Sequence, residues 1–121
     1  MGDPEKSRLR VLFVCALNQW RSPTAEALYR NDARLEVRSA GLSANAARPL
    51  SDADIEWAEI IFVMDREQKE WLQETFRSLD IPRIHSLDIP DTLVYMDLEL
   101  QRRMRQGIDP EIDALLGGRS P

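Results

Sequence analysis

The sequence predicts an α/β fold, a three-layer sandwich around a central four-stranded parallel sheet, and three observations carry that expectation. Two runs, residues 11–17 and 60–64, are apolar without the every-second-residue polar break of a strand facing water, as strands covered on both faces are. Each run is followed by a helix-start signature: Ser22-Pro23 after the first, Asp65 with Gln68 three positions on after the second. Strand-like and helix-like segments then alternate along the chain, the order that builds right-handed crossovers and a parallel sheet. That length suits one core, so residues 1–121 are expected to form a single domain, with residues 1–8 a polar tail.

The elements follow in order. Residues 10–15 form the first strand. Ser22 as N-cap and Pro23 at the first helical position open a helix whose stripe is Ala25, Leu28 and Tyr29, ending near Asn31-Asp32. Residues 35–41 alternate like a second strand that stops at Gly41. Ser51 with Asp54 resembles a capping box, with Asp in place of the usual Glu or Gln, and starts a short helix around Ile55 and Trp57. After the strand at 60–64, the helix capped by Asp65 has Trp71, Leu72, Phe76 and Leu79 as its inner stripe and is broken by Pro82. Residues 83–87 make a weaker fourth strand leading into Asp88-Ile89-Pro90-Asp91. The remainder reads as one helix from about Asp97 through Met104 and a second that starts at Asp109-Pro110 and stops at Gly117-Gly118. In open parallel sheets ligands bind beyond the carboxyl ends of the strands, which places the loops after Cys15 and after Leu87 on one edge.

Composition narrows the partners. The net charge of −5 is the wrong sign for a general nucleic-acid binder, and the 14 Arg among 16 basic residues are interspersed with acids, as on a solvated, ion-paired surface. No apolar run is long enough to cross a bilayer, and the acids Asp3 and Glu5 do not fit a signal peptide. The expectation is a cytoplasmic protein with no nucleic-acid or membrane partner. Cys15 is the only cysteine, which excludes an intrachain disulfide or an all-cysteine metal site. No grouping of His85 with nearby acids has metal-ligand spacing, so neither a metal nor another cofactor is expected, and the sequence identifies no partner for His85.

The chemistry concentrates in Cys15-Ala16-Leu17-Asn18-Gln19-Trp20-Arg21-Ser22-Pro23. A cysteine ends a buried strand, and a helix begins six residues later. Such a connection curls so that its backbone N–H groups point inward, while the helix start directs its own unpaired N–H groups and positive dipole end at the same place. Arg21 adds a planar, permanently charged fork that holds two oxygens of a phosphate. Donors of this kind also favour the thiolate of a cysteine placed among them. Taken alone, a lone strand-end cysteine is more often a small buried apolar residue; the cradle around it is what argues for a nucleophile.

Together these residues resemble the loop of the low-molecular-weight protein tyrosine phosphatases, V-C-x-G-N-x-C-R-S-P followed by x-A-E. Val14-Cys15, Asn18, Arg21-Ser22-Pro23 and Ala25-Glu26 stand in the matching places, and Ser39-Ala40-Gly41 and the segment from Ala58 to Asp65 match further on. The resemblance covers most of residues 9–91. It implies a phosphomonoester hydrolase acting on a phosphorylated protein or a small aryl phosphate through a cysteinyl-phosphate on Cys15. Arg21 and the loop amides of Ala16, Leu17, Asn18, Gln19, Trp20 and Ser22 would bind the phosphate, Ser22 would stabilise the thiolate in addition to capping its helix, and Asn18 would brace the loop by accepting a left-handed backbone. Ile89-Pro90-Asp91 matches the start of the family's acid loop, making Asp91 the expected general acid and Asp88 its competitor. Asp109-Pro110 copies the Asp-Pro pair of that loop but is explained as a helix start.

The chain departs from the pattern in three places. Leu17 replaces a loop glycine, which would strain the cradle if the site needs positive φ. Trp20 replaces a second loop cysteine, removing a protective disulfide partner and leaving Cys15 open to irreversible oxidation. Thr92 and Leu93 replace the Pro and aromatic that follow the acid, so the wall against a phosphotyrosine ring is altered; Trp20 and Tyr95 are candidates for the pocket mouth. Arsenate reduction on the same fold would need an external thiol in a chain with one cysteine. A phosphocarrier domain would have no use for Arg21 and Asp91. A non-catalytic oxyanion- or partner-binding module is the remaining alternative.

Overall fold

The computed structural model describes residues 8–117. The elements are β1 (Leu9–Cys15), α1 (Arg21–Tyr29), β2 (Leu35–Gly41), α2 (Asp52–Trp57), β3 (Ile60–Val63), α3 (Arg66–Thr75), β4 (Arg83–Ser86) and α4 (Leu98–Gly117). All strand pairs are parallel and the sheet order is β2-β1-β3-β4. The chain leaves β1 for β2 on one side and later crosses to β3 on the other, so the order reverses at β1, and the crevice expected of such a reversal opens beyond Cys15. Residues 1–7 of the expected tail, and Gly118, lie outside the described residues.

Side-chain alternation assigns the two cores. In β1 and β3, Leu9, Val11, Phe13, Cys15, Ile60 and Phe62 face α1 and α4, with Ala25, Tyr29, Leu100, Met104, Ile108 and Ile112 closing that layer. Leu12, Val14, Ile61 and Val63 face the opposite way onto Ile55 of α2 and Leu72 of α3. Because both faces are covered, β3 and the part of β1 beyond Arg10 carry only apolar side chains, which is why they read as continuous apolar runs. The parity of β1 also puts Cys15 on the α1 side.

Local signals locate most helix starts. Ser51 and Asp54 form the capping box, each side chain taking the other's backbone N–H. Asp65 accepts from the Gln68 N–H, and Asp97 from the Glu99 and Leu100 N–H groups. Many arginines pair with acids as expected: Arg38 and Arg48 both reach Asp54, and Arg102 and Arg103 both reach Glu99. His85 lies edge-on to Phe62, with Nδ1 3.5 Å from Glu111 Oε1.

Three local expectations are corrected. Ser22 is not the N-cap of α1; Trp20 holds that position without a side-chain cap, and Ser22 and Pro23 fall in the first turn, where a missing N–H costs nothing. Helix α3 ends at Thr75, Phe76 and Leu79 pack from beyond its end, and Trp71 is exposed, because the sheet offers room for one inward row centred on Leu72. The tail is one helix, not two. Pro110 lies inside α4, and Asp109 does not cap a helix but accepts the Tyr29 hydroxyl. Burial, then the bond to Asp109, pushes the Tyr29 hydroxyl above its ordinary range, so it remains a donor. Packing of Met104 and Ile108 before the proline and Ile112 after it against one core keeps the two halves in line.

A proline inside a continuous helix forfeits one backbone hydrogen bond and crowds the carbonyl four residues back. Pro110→Ala is therefore expected to stabilise the protein by about 1–2 kcal/mol, the helix gain of roughly 3 kcal/mol being offset in part by a freer unfolded chain. The urea midpoint measures this; an unchanged or lower midpoint would restore the two-helix description.

Candidate active site

The connection from β1 to α1 is held from behind by the loop after β2. The carbonyls of Cys15, Ala16 and Leu17 accept from the N–H groups of Leu42 (3.0 Å), Ser43 (3.0 Å) and Ala47 (3.1 Å). In a trans peptide the N–H points opposite to the preceding carbonyl, so these bonds turn the amides of Ala16, Leu17 and Asn18 away from the β2–α2 loop. Among the described residues, the backbone N–H groups from Ala16 to Trp20 find no protein acceptor. Gly41 makes the close approach possible: a Cβ there would sit 2.4 Å from Ala46 Cβ and 2.9 Å from the Ala16 carbonyl oxygen.

Asn18 takes the left-handed conformation, φ 55°, that Asn tolerates better than most residues. Leu17 has no positive φ, so the substitution for glycine brings no left-handed strain; its side chain is 44% exposed at the cavity wall.

Three side chains meet behind the loop. Cys15, 3% exposed, has Sγ 3.0 Å from Ser22 Oγ. Asn18 Nδ2 donates to the same Ser22 oxygen at 2.8 Å. Ser22 is fully buried, its hydroxyl lying against the sulfur and 3.5 Å from the Ala40 carbonyl. Arg21 is 7% exposed and donates from Nη1 to the Ile89 carbonyl at 2.9 Å, with no carboxylate partner among the described residues. Its charge is thereby held beside the cavity without being neutralised by an ion pair.

A cavity of about 190 Å3 opens on the sulfur, lined by Cys15, Ala16, Leu17, Gln19, Trp20, Arg21 and Asp91. Of the residues expected at the site, these seven are brought together; Asn18 and Ser22 stand behind the wall as supports. Asp88 lies outside it. Its carboxylate accepts the Ser86 hydroxyl at 2.8 Å, and it lines an adjoining hollow with Asp65, Ile89 and Pro90, to which Arg21 and Asp91 also contribute. Trp20 lines the mouth and Tyr95 does not; Leu93 turns inward to the core, leaving Leu17 and Trp20 as the apolar walls. Two contributors escaped the sequence reading: the Ile89 carbonyl, a backbone group without a sequence signature, and the β2–α2 loop, whose one visible signal was a glycine ending β2.

Residues 10–106 match the model of the family described as low molecular weight phosphotyrosine protein phosphatase. Among solved structures the chain is similar to YfkJ from Bacillus subtilis, at 20% identity and TM-score 0.73 over 94% of this chain and 98% of that one. It is similar to the YwlE arginine phosphatase from Geobacillus stearothermophilus, at 25% identity and TM-score 0.61 over 88% and 90%. The low molecular weight protein tyrosine phosphatase SP-PTP from Streptococcus pyogenes aligns at 19% identity and TM-score 0.74 over 88% and 93%. No curated protein sequence matches the chain.

The contact at Gly41 makes a test of the cradle. Gly41→Ala is expected to cost about 1–3 kcal/mol of stability by overpacking against Ala46 and the Ala16 carbonyl, and to weaken vanadate binding by displacing the loop. A thermal melt and a vanadate titration check both; an unaltered titration would mean the loop holds its shape without the β2–α2 support.

Proposed function

The chain belongs to the low molecular weight phosphotyrosine protein phosphatase family and is a cysteine-dependent phosphatase, and on that premise we propose that it hydrolyses phosphomonoesters through a phosphorylated Cys15. The observation that carries the proposal is the meeting of Cys15, Arg21 and Asp91 around one cavity. The substrate would be a phosphorylated protein side chain or a small aryl phosphate, its organic part lying against Leu17 and Trp20.

Asn18 donates to the Ser22 oxygen, so the Ser22 proton goes to another acceptor; the sulfur at 3.0 Å is nearer than the Ala40 carbonyl at 3.5 Å, and donation to the sulfur supports a thiolate. The thiolate attacks phosphorus; the S–P bond forms as the bond to the ester oxygen breaks. Arg21 and the inward amides hold the three equatorial oxygens, where charge is spread in the transition state. Asp91 gives its proton to the departing oxygen, then as a carboxylate takes one from the water that attacks phosphorus. Cleavage of the S–P bond releases phosphate and restores the thiolate. Asp91 is preferred to Asp88 because it faces the cavity that holds the sulfur, whereas Asp88 is turned to the Ser86 hydroxyl.

The purified protein is expected to hydrolyse p-nitrophenyl phosphate without added metal, and Cys15→Ser to abolish turnover. Asp91→Ala should lower kcat by roughly 10²-fold or more, as loss of a general acid does, while Asp109→Ala keeps its rate because that carboxylate serves Tyr29. Activity surviving in Cys15→Ser would rule out the covalent route, and equal losses from the two Asp changes would remove only the acid assignment.

A further inference from the structure

The segment that carries Asp91 is fastened at both ends to the first turn of α1. At its start, Arg21 donates to the Ile89 carbonyl at 2.9 Å. At its end the fastening is the Thr24 hydroxyl, which donates to the Trp20 carbonyl at 2.6 Å and accepts the Met96 N–H at 2.9 Å. Met96 is held there with φ 60°, a left-handed conformation that costs a residue with a Cβ about 1 kcal/mol or more, and Gln101 Nε2 grips its carbonyl at 2.8 Å. Thr24 is fully buried. Between the anchors, the Asp91 side chain has no hydrogen bond or ion pair among the described residues, so its placement follows from its backbone, which is held at Ile89 by Arg21 and by the Met64 carbonyl, at Leu93 by packing on the core, and at Met96 by Thr24.

We propose that Thr24 is a positioning residue for proton transfer to the leaving group: its hydroxyl ties the segment after Asp91 to the end of the phosphate loop at Trp20 and so keeps the Asp91 carboxyl over the cavity. The proposal rests on Asp91 being the general acid. A helical threonine bonds back to the carbonyl four residues earlier, and its remaining lone pairs are free for a second element. Thr24 lies one turn after Trp20, so one hydroxyl spans loop and acid segment. It does not line the cavity and has no other task there. Valine would fill the same volume without making the tether.

The test compares kcat/KM on phenyl phosphate, whose departing oxygen needs the proton, with that on p-nitrophenyl phosphate, whose departing oxygen needs it far less. Thr24→Val, with Thr24→Ala beside it in case the added methyl disturbs folding, is expected to lower the phenyl phosphate value about tenfold, in line with a slightly misplaced acid, and the other by less than about threefold. Competitive inhibition by inorganic phosphate should be unchanged, and Thr24→Ser should restore the wild-type ratio. In an Asp91→Asn background, Thr24→Val should add no further loss on phenyl phosphate. Equal losses on the two esters, or an undiminished effect of Thr24→Val in the Asp91→Asn background, would overturn the role of Thr24 alone. An Asp91→Asn protein indifferent to the leaving group would overturn the acid assignment and this proposal with it, while leaving Cys15 chemistry standing.

Discussion

Three backbone hydrogen bonds, from the loop after β2 to the carbonyls of Cys15, Ala16 and Leu17, are the constraint on which the site depends. A peptide plane presents its carbonyl and its N–H on opposite sides, so fixing one side fixes the other. With the carbonyls engaged, the amides of Ala16, Leu17 and Asn18 must face away, and among the described residues the N–H groups from Ala16 to Trp20 have no protein partner, which is what an anion requires of a backbone. Leaving such donors unpaired would be costly in a closed interior; at an open strand end water or an anion satisfies them. The phosphate loop is therefore shaped from outside as well as by its own residues, and Gly41 and Ala46 are small because the supporting chain must pass so close.

The first turn of α1 gathers the remaining tasks. Arg21, Ser22 and Thr24 are all buried, and each reaches a different target: the Ile89 carbonyl, the Cys15 sulfur and the Met96 N–H. Polar groups this deep are tolerable only because every one is bonded, and those bonds make the turn rigid. Rigidity suits the proposed role of Arg21, a charged fork already in place when charge develops on phosphorus. The apolar backing comes from the alternation of β1, which sends Cys15 to the α1 side of the sheet and its neighbour Val14 to the other.

The departures from the family loop have local physical outcomes. At position 17 the backbone stays out of the left-handed region, that conformation falling on Asn18 instead, so leucine is accommodated and its side chain becomes a wall. Trp20 in place of a cysteine supplies the facing wall. With Leu93 drawn into the core, the apolar lining comes from the loop after β1 rather than from the segment after Asp91.

The sequence alone determined what short-range rules can settle. Continuous apolar runs marked strands buried on both faces, the Ser51 and Asp65 caps marked two helices, and the spacing from Cys15 to Arg21 marked the anion loop. Tertiary structure decided what depends on groups distant in the chain. Helix α1 began one residue ahead of Ser22, whose hydroxyl meets a sulfur and an amide instead of capping, and α4 ran through Pro110 because residues on both sides of it share one core. That Asp91 and not Asp88 lines the cavity at Cys15 follows from the direction a loop takes after β4, and the grip of the Ile89 carbonyl on Arg21 has no sequence signal at all. Local propensity is worth about 1 kcal/mol at a single position, and a handful of long-range contacts outweighs it wherever the two disagree.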